Sequence, residues 1–175
     1  TVNGESVQFT TDSFSVYVVA GYVLETTIDI EGQTYKVTAT YDDHAGIPGD
    51  AKLNVSELVP GDEAFVPYLS GTAAALDVSS GDLCYLRMLD ICIEGSDGTK
   101  YIPNEQVIIT VELMDGLETG DLRVVHFGEE TEEISASTNG DTVTFATNSF
   151  SLFSFRSLCR ISYSVGSSSF FFTFW

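Results

Sequence analysis

Two histidines, His44 and His126, are the chain's only imidazole bases, so any hydrolytic triad must use one of them. Neither belongs to a Gly-x-Ser-x-Gly nucleophile signature. His44 sits in the turn-forming run Asp42-Asp43-His44-Ala45-Gly46, where an exposed imidazole is expected. His126 precedes Phe127 and Gly128. Self-cleavage after His-Phe needs a hydroxyl on the next residue to attack the preceding carbonyl, and Gly128 has none. The alternation of Val124 and His126 with Val125 and Phe127 fits an ordinary strand with His126 as a structural residue, and no catalytic residue is expected. An intramolecular Lys–Asn or Lys–Asp crosslink would need a buried lysine; Lys36, opposite in parity to Tyr35, Val37, Ala39 and Tyr41, is expected to point outward.

Metal chemistry finds little support. Clustered Cys and His ligands are missing, and the acidic turns Asp42-Asp43, Asp50, Asp62-Glu63 and Glu129-Glu130 lack EF-hand spacing, so no cofactor is expected beyond weak adventitious Ca²⁺. Cys84 and Cys92 on one strand would stand about 26 Å apart, too far to pair. Arg87 and Asp90 interrupt an apolar run; three apart, they fall on opposite faces of a regular strand. A local ion pair or hydrogen bonds to a loop are the expected uses of such buried polar groups. Tyr41, Phe65, Tyr68 and Tyr101 are the candidate ligand-facing aromatics.

The elements that must position these residues are strands. Period-two runs of Val, Ile, Thr, Tyr and Phe predict strands at Tyr22–Ile30, Thr34–Tyr41, Ala51–Leu58, Leu83–Glu94, Gln106–Leu113, Leu122–Phe127, Glu133–Ser137 and Thr142–Ser154. Within Gly61–Leu76 the alternation gives way to helical spacing, and a short helix is expected there, interrupted by Pro67 and Gly71. The fold class is mainly β: an antiparallel β-sandwich of about eight strands with one short helix.

The same phrase occurs twice. Val7-Gln8-Phe9-Thr10-Thr11-Asp12-Ser13-Phe14-Ser15 returns as Val143-Thr144-Phe145-Ala146-Thr147-Asn148-Ser149-Phe150-Ser151. The preceding turns, Asn3-Gly4-Glu5-Ser6 and Asn139-Gly140-Asp141-Thr142, keep the same offset (143 − 7 = 136). Self-similarity at a fixed offset marks an array. Residues 1–19 therefore read as the C-terminal hairpin of an upstream repeat, 20–155 as one complete sandwich module, and 156–175 as an atypical, non-native or disordered tail without acids. Tyr17 to Leu24 would form the junction between neighbours.

Before residue 156 the chain carries five cationic side chains against 26 acids (5 − 26 = −21). That surface repels phosphate backbones and excludes nucleic acid as a partner. The apolar end, Phe170 to Trp175, falls far short of the roughly 20 residues of a spanning helix.

Taken in order, Tyr35-Lys36-Val37-Thr38 with Tyr41, Ala45-Gly46-Ile47-Pro48-Gly49 with Leu53-Asn54-Val55-Ser56-Glu57-Leu58, Tyr85 and Arg87 with Asp90-Ile91, Val124-Val125-His126-Phe127-Gly128, and Val143-Thr144-Phe145 with Ser149-Phe150-Ser151 resemble the repeat modules of large cell-wall-anchored, adhesin-like surface proteins of Gram-positive gut bacteria. The resemblance implies an extracellular, non-catalytic structural or spacer role at the bacterial cell surface. Neighbouring modules of the same polypeptide would be its partners, and a module binding host glycan or protein is the alternative.

Overall fold

The structure is a computed structural model that describes residues 2–3, 6–7, 21–113 and 122–158. Alternating sequence becomes two facing antiparallel sheets, as the sequence predicts. Two short strands, β1 (Val2–Asn3) and β2 (Ser6–Val7), pair with each other, and among the described residues they join neither of the larger sheets. The five-stranded sheet has the order β11 (Ala136–Asn139), β12 (Thr142–Thr147), β8 (Val107–Leu113), β4 (Gln33–Tyr41), β3 (Tyr22–Ile30). The facing sheet has the order β10 (Thr131–Ile134), β9 (Leu122–Phe127), β13 (Leu152–Leu158), β6 (Leu83–Glu94), β5 (Lys52–Glu57), with β7 (Lys100–Tyr101) added beside β6.

The core lies between the sheets. Val37 and Ala39 of β4, Ile109 of β8, Ile91 and Ile93 of β6, Val124 of β9 and Phe153 of β13 are fully enclosed there. Phe145 bridges the layers, its ring centroid 5.1 Å from that of Phe153 and 5.9 Å from that of Phe155. Outside the five-stranded sheet the residues of opposite parity form threonine-rich rows open to water, such as Thr38, Thr110 and Thr144. The outer face of the six-stranded sheet is covered in part. Helix α1 (Phe65–Ala75) packs on its outer side, where Met88, Val125 and Ser154 are also buried. Pro67 falls in the first helical turn, where a missing N–H costs nothing. Gly71 is where the Phe127 ring rests; a Cβ there would stand 2.8 Å from it.

Among the described residues the two sheets hold eleven strands where eight are expected, because two predicted strands each divide between the sheets and the short β7 adds one more. Thr142–Ser154 breaks after Thr147, whose Oγ1 accepts from the Ser149 N–H (3.1 Å) and donates to the Ser149 carbonyl (2.7 Å). This local hydroxyl turn gives the backbone an alternative to the ladder and carries the chain from β12 across to β13. Glu133–Ser137 likewise divides at Ser135 into β10 and β11.

At its far end β13 runs to Leu158, three residues beyond the expected module boundary at Phe155, because Arg156 and Ser157 pair with Arg123 and Leu122 of β9. Arg156 is fully buried there, and burial, with Arg123 nearby, lowers its pKa to about 10. The remainder of the predicted tail, and residues 8–20, lie outside the described residues.

Candidate functional site

The chain reaches the sandwich at one end and leaves it at the other. β3 begins at Tyr22, which pairs with Tyr41 and stacks on it at 5.6 Å with the rings 19° apart. Tyr35, at the other end of β4, lies about 20 Å away at 3.3 Å per residue. Arg87, Leu122, Phe155 and Tyr35 line one small cavity of about 20 Å³, so the last turns of β13 sit at the Tyr35 end. These two ends are called here the upstream end (Tyr22, Tyr41, Val107) and the downstream end (Tyr35, Arg87, Phe155).

Arg87 organises the downstream end. It lies on the core-facing side of β6 with Leu89 and Ile91, and its side chain is only 15% exposed. Its Nε donates to the Tyr35 hydroxyl (3.2 Å), its Nη1 to Glu57 (3.4 Å) and its Nη2 to Glu31 (2.9 Å). Burial works against its charge, but the Tyr35 and Glu31 hydrogen bonds outweigh it and raise the guanidinium pKa above its ordinary value. Glu57 goes the other way from a typical ion-paired acid: burial raises its pKa, and the long contact with Arg87 only partly offsets this. Glu31 occupies the β3–β4 hairpin at φ +51, followed by Gly32 at +82, the mirror-image turn that suits a two-residue loop. Of the two expected uses of Arg87, these contacts give the loop one, with Glu31; Tyr35 and Glu57 lie on strands 52 and 30 residues away and are not local in sequence.

Asp90 faces away from Arg87, as strand parity requires. It lines an open groove of about 390 Å³ on the outer face with Tyr68, Lys100, Phe127 and Phe150. Tyr68 meets Phe127 edge to face, centroids 4.8 Å apart. Of the four expected ligand-facing aromatics only Tyr68 lines this groove. Tyr41 is a correction: it is 7% exposed, on the same core-facing parity as Val37 and Ala39, and cannot present its ring to a ligand. Tyr101 packs half-buried against the core rim, and Phe65 is half-buried at the start of α1.

His126 is buried and stacks on Phe153, 4.6 Å between centroids. Its Nε2 lies 3.0 Å from Ser151 Oγ, a contact that sequence reasoning missed, although Ser149-Phe150-Ser151 was visible as a repeated phrase. The pair has the composition of a nucleophile and base, but its protons are arranged otherwise. Ser151 has one hydroxyl proton and donates it to the Phe127 carbonyl at 2.7 Å. The imidazole must then donate through Nε2–H, leaving no lone pair toward the serine. Burial also lowers the His126 pKa, with Glu132 opposing, which favours the neutral ring. The arrangement ties the β13 start to the β9 end. Gly128 fits the same packing, since a Cβ there would stand 2.7 Å from the His126 ring.

Asp42, Asp43 and His44 form an exposed cluster with ligand atoms within 4.8 Å of one another. Asp42 uses its carboxylate to cap the short 3-10 turn, accepting from the His44 N–H at 2.9 Å. Lys36 points outward, as expected, and pairs with Glu25 at 2.8 Å. Cys92 is buried with its thiol pushed up to about 11, by burial and then by its hydrogen bond to Glu94. No helix among the described residues is long and apolar enough to cross a membrane.

Compared with known proteins, the chain matches no protein-family model and no curated protein.

Proposed function

We propose that this chain contains a non-catalytic spacer module of a tandem-repeat, extracellular bacterial surface protein, with neighbouring modules of the same polypeptide as its partners. The observation that carries the reading is a shared register. β1 and β2 pair Val2 with Val7 and Asn3 with Ser6, while β11 and β12 pair Thr138 with Val143 and Asn139 with Thr142. Each pair is the other shifted by 136 residues, so the described residues of the first copy pair in the register of the second.

The opposite placement of the chain's arrival and departure supports the same reading, because it lets sandwiches follow one another in line. Tension along such a line runs parallel to β3 and β13. β3 is held to β4 by nine residue pairs, and β13 is held on both sides by β6 and β9. Pulling therefore loads many hydrogen bonds together, which suits a load-bearing spacer. The strongly acidic surface keeps neighbouring modules from collapsing on each other.

Single-molecule extension of the full chain tethered at its termini tests this. One cooperative event is expected, releasing roughly 45 nm of chain, the length of residues 22–158 at about 3.3 Å each. Release of roughly 6 nm more in the same event would place residues 2–7 inside the load-bearing body and overturn the reading.

A further inference from the structure

The groove on the outer face of the six-stranded sheet has a floor laid down by strand register. Ser56 of β5 pairs with Asp90 of β6, Asp90 with Leu152 of β13, and Leu152 with Phe127 of β9, a row across four strands at about 4.8 Å per step. Helix α1 sets Tyr68 edge-on against Phe127 at one end of that row. The segment that crosses from β12 to β13 supplies Phe150 and Ser151, and the Ile91 N–H donates to the Ser151 carbonyl at 3.1 Å, which fixes this segment beside the residue that follows Asp90. The result is a trough of about 390 Å³ with an aromatic wall, within the size range of small-molecule sites.

Two opposite charges face this trough without meeting. Asp90 is half-buried, and among the described residues neither its carboxylate nor the Lys100 ammonium has an ion pair or a side-chain hydrogen bond. Lys100 stands directly across the ladder from Glu94, but Glu94 already accepts from Asn54 Nδ2 (3.1 Å) and from the Cys92 thiol (3.3 Å). The Lys100 side chain lines the trough instead. Its backbone level is four residues along β6 from Asp90 (94 − 90 = 4), about 13 Å. An anion and a cation held apart beside an apolar wall complement a ligand that carries the opposite charges at the two ends of an apolar chain.

We infer that this trough binds an ω-amino acid group, with its ammonium against the Asp90 carboxylate, its carboxylate against the Lys100 ammonium, and the aliphatic chain between them along Phe150 and Leu152. Each part of the ligand answers a feature of the site. A carboxylate partly withdrawn from water gains from a cation that pairs with it, and neighbouring rings attract the same cation. The methylene chain gains from leaving water against the wall. A simple anion would be repelled by a chain of net charge −19, and a simple cation would leave Lys100 unanswered. The same chemistry is offered by a free ω-amino acid and by a peptide whose last residue is lysine, which presents a side-chain ammonium and a terminal carboxylate. The inference is independent of the tandem-repeat reading.

Calorimetric titration of the full chain with ε-aminocaproate tests it. Saturable binding at one site is expected, with a dissociation constant of about 1 mM or tighter. Hexylamine and hexanoate each lack one of the two charges and should bind at least about tenfold more weakly. Asp90→Asn and Lys100→Gln should each weaken binding about tenfold or more while the melting temperature stays that of the natural chain. Lys100 is exposed, so its variant keeps the test decisive even where Asp90→Asn fails to fold. A short peptide ending in lysine and the same peptide amidated at its C-terminus separate the two sources: binding of the acid but not the amide assigns chain termini as occupants, and binding of ε-aminocaproate without the peptide assigns the free small molecule. Absence of saturation up to about 10 mM ε-aminocaproate would overturn the proposal. Equal binding of hexylamine or hexanoate, or unchanged binding by the Lys100→Gln variant, would overturn it as well.

Discussion

Replacing Arg87 by methionine tests how the downstream end is held together. The substitution keeps most of the aliphatic stem but removes every donor. The Glu31 carboxylate is 70% exposed, so its loss costs at most about 0.5 kcal/mol. The hydrogen bond to Tyr35 contributes about 1 kcal/mol. The largest loss is at Glu57, whose side chain is only 11% exposed and would be left half-buried without its cation, a cost of about 2 kcal/mol. Together these predict a loss of about 3 kcal/mol at pH 7.5, or roughly a 10 °C fall in melting temperature for a domain of this size. The sign of the pH dependence follows from Glu57. Its folded pKa is already raised, and without Arg87 it rises further, so protonation relieves the penalty. The deficit relative to the natural chain should shrink as pH falls from 7.5 toward 5, and Arg87→Met/Glu57→Gln should recover more than half of it at pH 7.5. Urea titrations of the natural chain, Arg87→Met, Glu57→Gln and the double variant at both pH values provide the assay. A deficit below about 1 kcal/mol, or one that does not change with pH, would show that Arg87 behaves as a surface residue and would refute the reasoning.

Gly128→Ser restores the hydroxyl that self-cleavage would require, yet it should produce no fragments by intact mass and should destabilise the fold by about 1–3 kcal/mol, since the new Cβ meets the His126 ring. With Cys84 and Cys159 changed to serine, Cys92 should resist alkylation at pH 8 until denaturant is added, because burial and Glu94 keep it a thiol; rapid labelling of the native protein would contradict this. His126 has a folded pKa below its unfolded value, so it contributes stability at neutral pH that is lost as pH falls from about 6.5 through the lowered value. The stability of His126→Gln should therefore fall less steeply between pH 7 and 5 than that of the natural chain, and equal slopes would count against the buried neutral ring.

The strand faces were legible from parity alone: Tyr35, Val37 and Ala39 point inward, Lys36 outward. Parity also places Tyr41 inward, but aromatic composition argued for a ligand-facing ring, and the burial of Tyr41 shows that position along the pleat decides. The crossings between sheets were hidden, because Thr142–Ser154 is continuously strand-like and the turn depends on one threonine hydroxyl at 147. The partners of Arg87 were equally hidden, since Glu31, Tyr35 and Glu57 converge only after two hairpins have formed. Ser151 carried a signal, its place in the repeated phrase, but a pairing with His126 across 25 residues requires the register of β9 against β13.

The independence of the opening hairpin is the claim on which the spacer account stands, and removing residues 1–19 tests it most directly. Calorimetry of the chain beginning at Ala20 should show the same melting temperature and unfolding enthalpy as the full chain, apart from the small loss of the two-strand hairpin. A collapse of the transition, or a fall of more than about 10 °C, would mean that the hairpin belongs to the sandwich itself and would contradict the account.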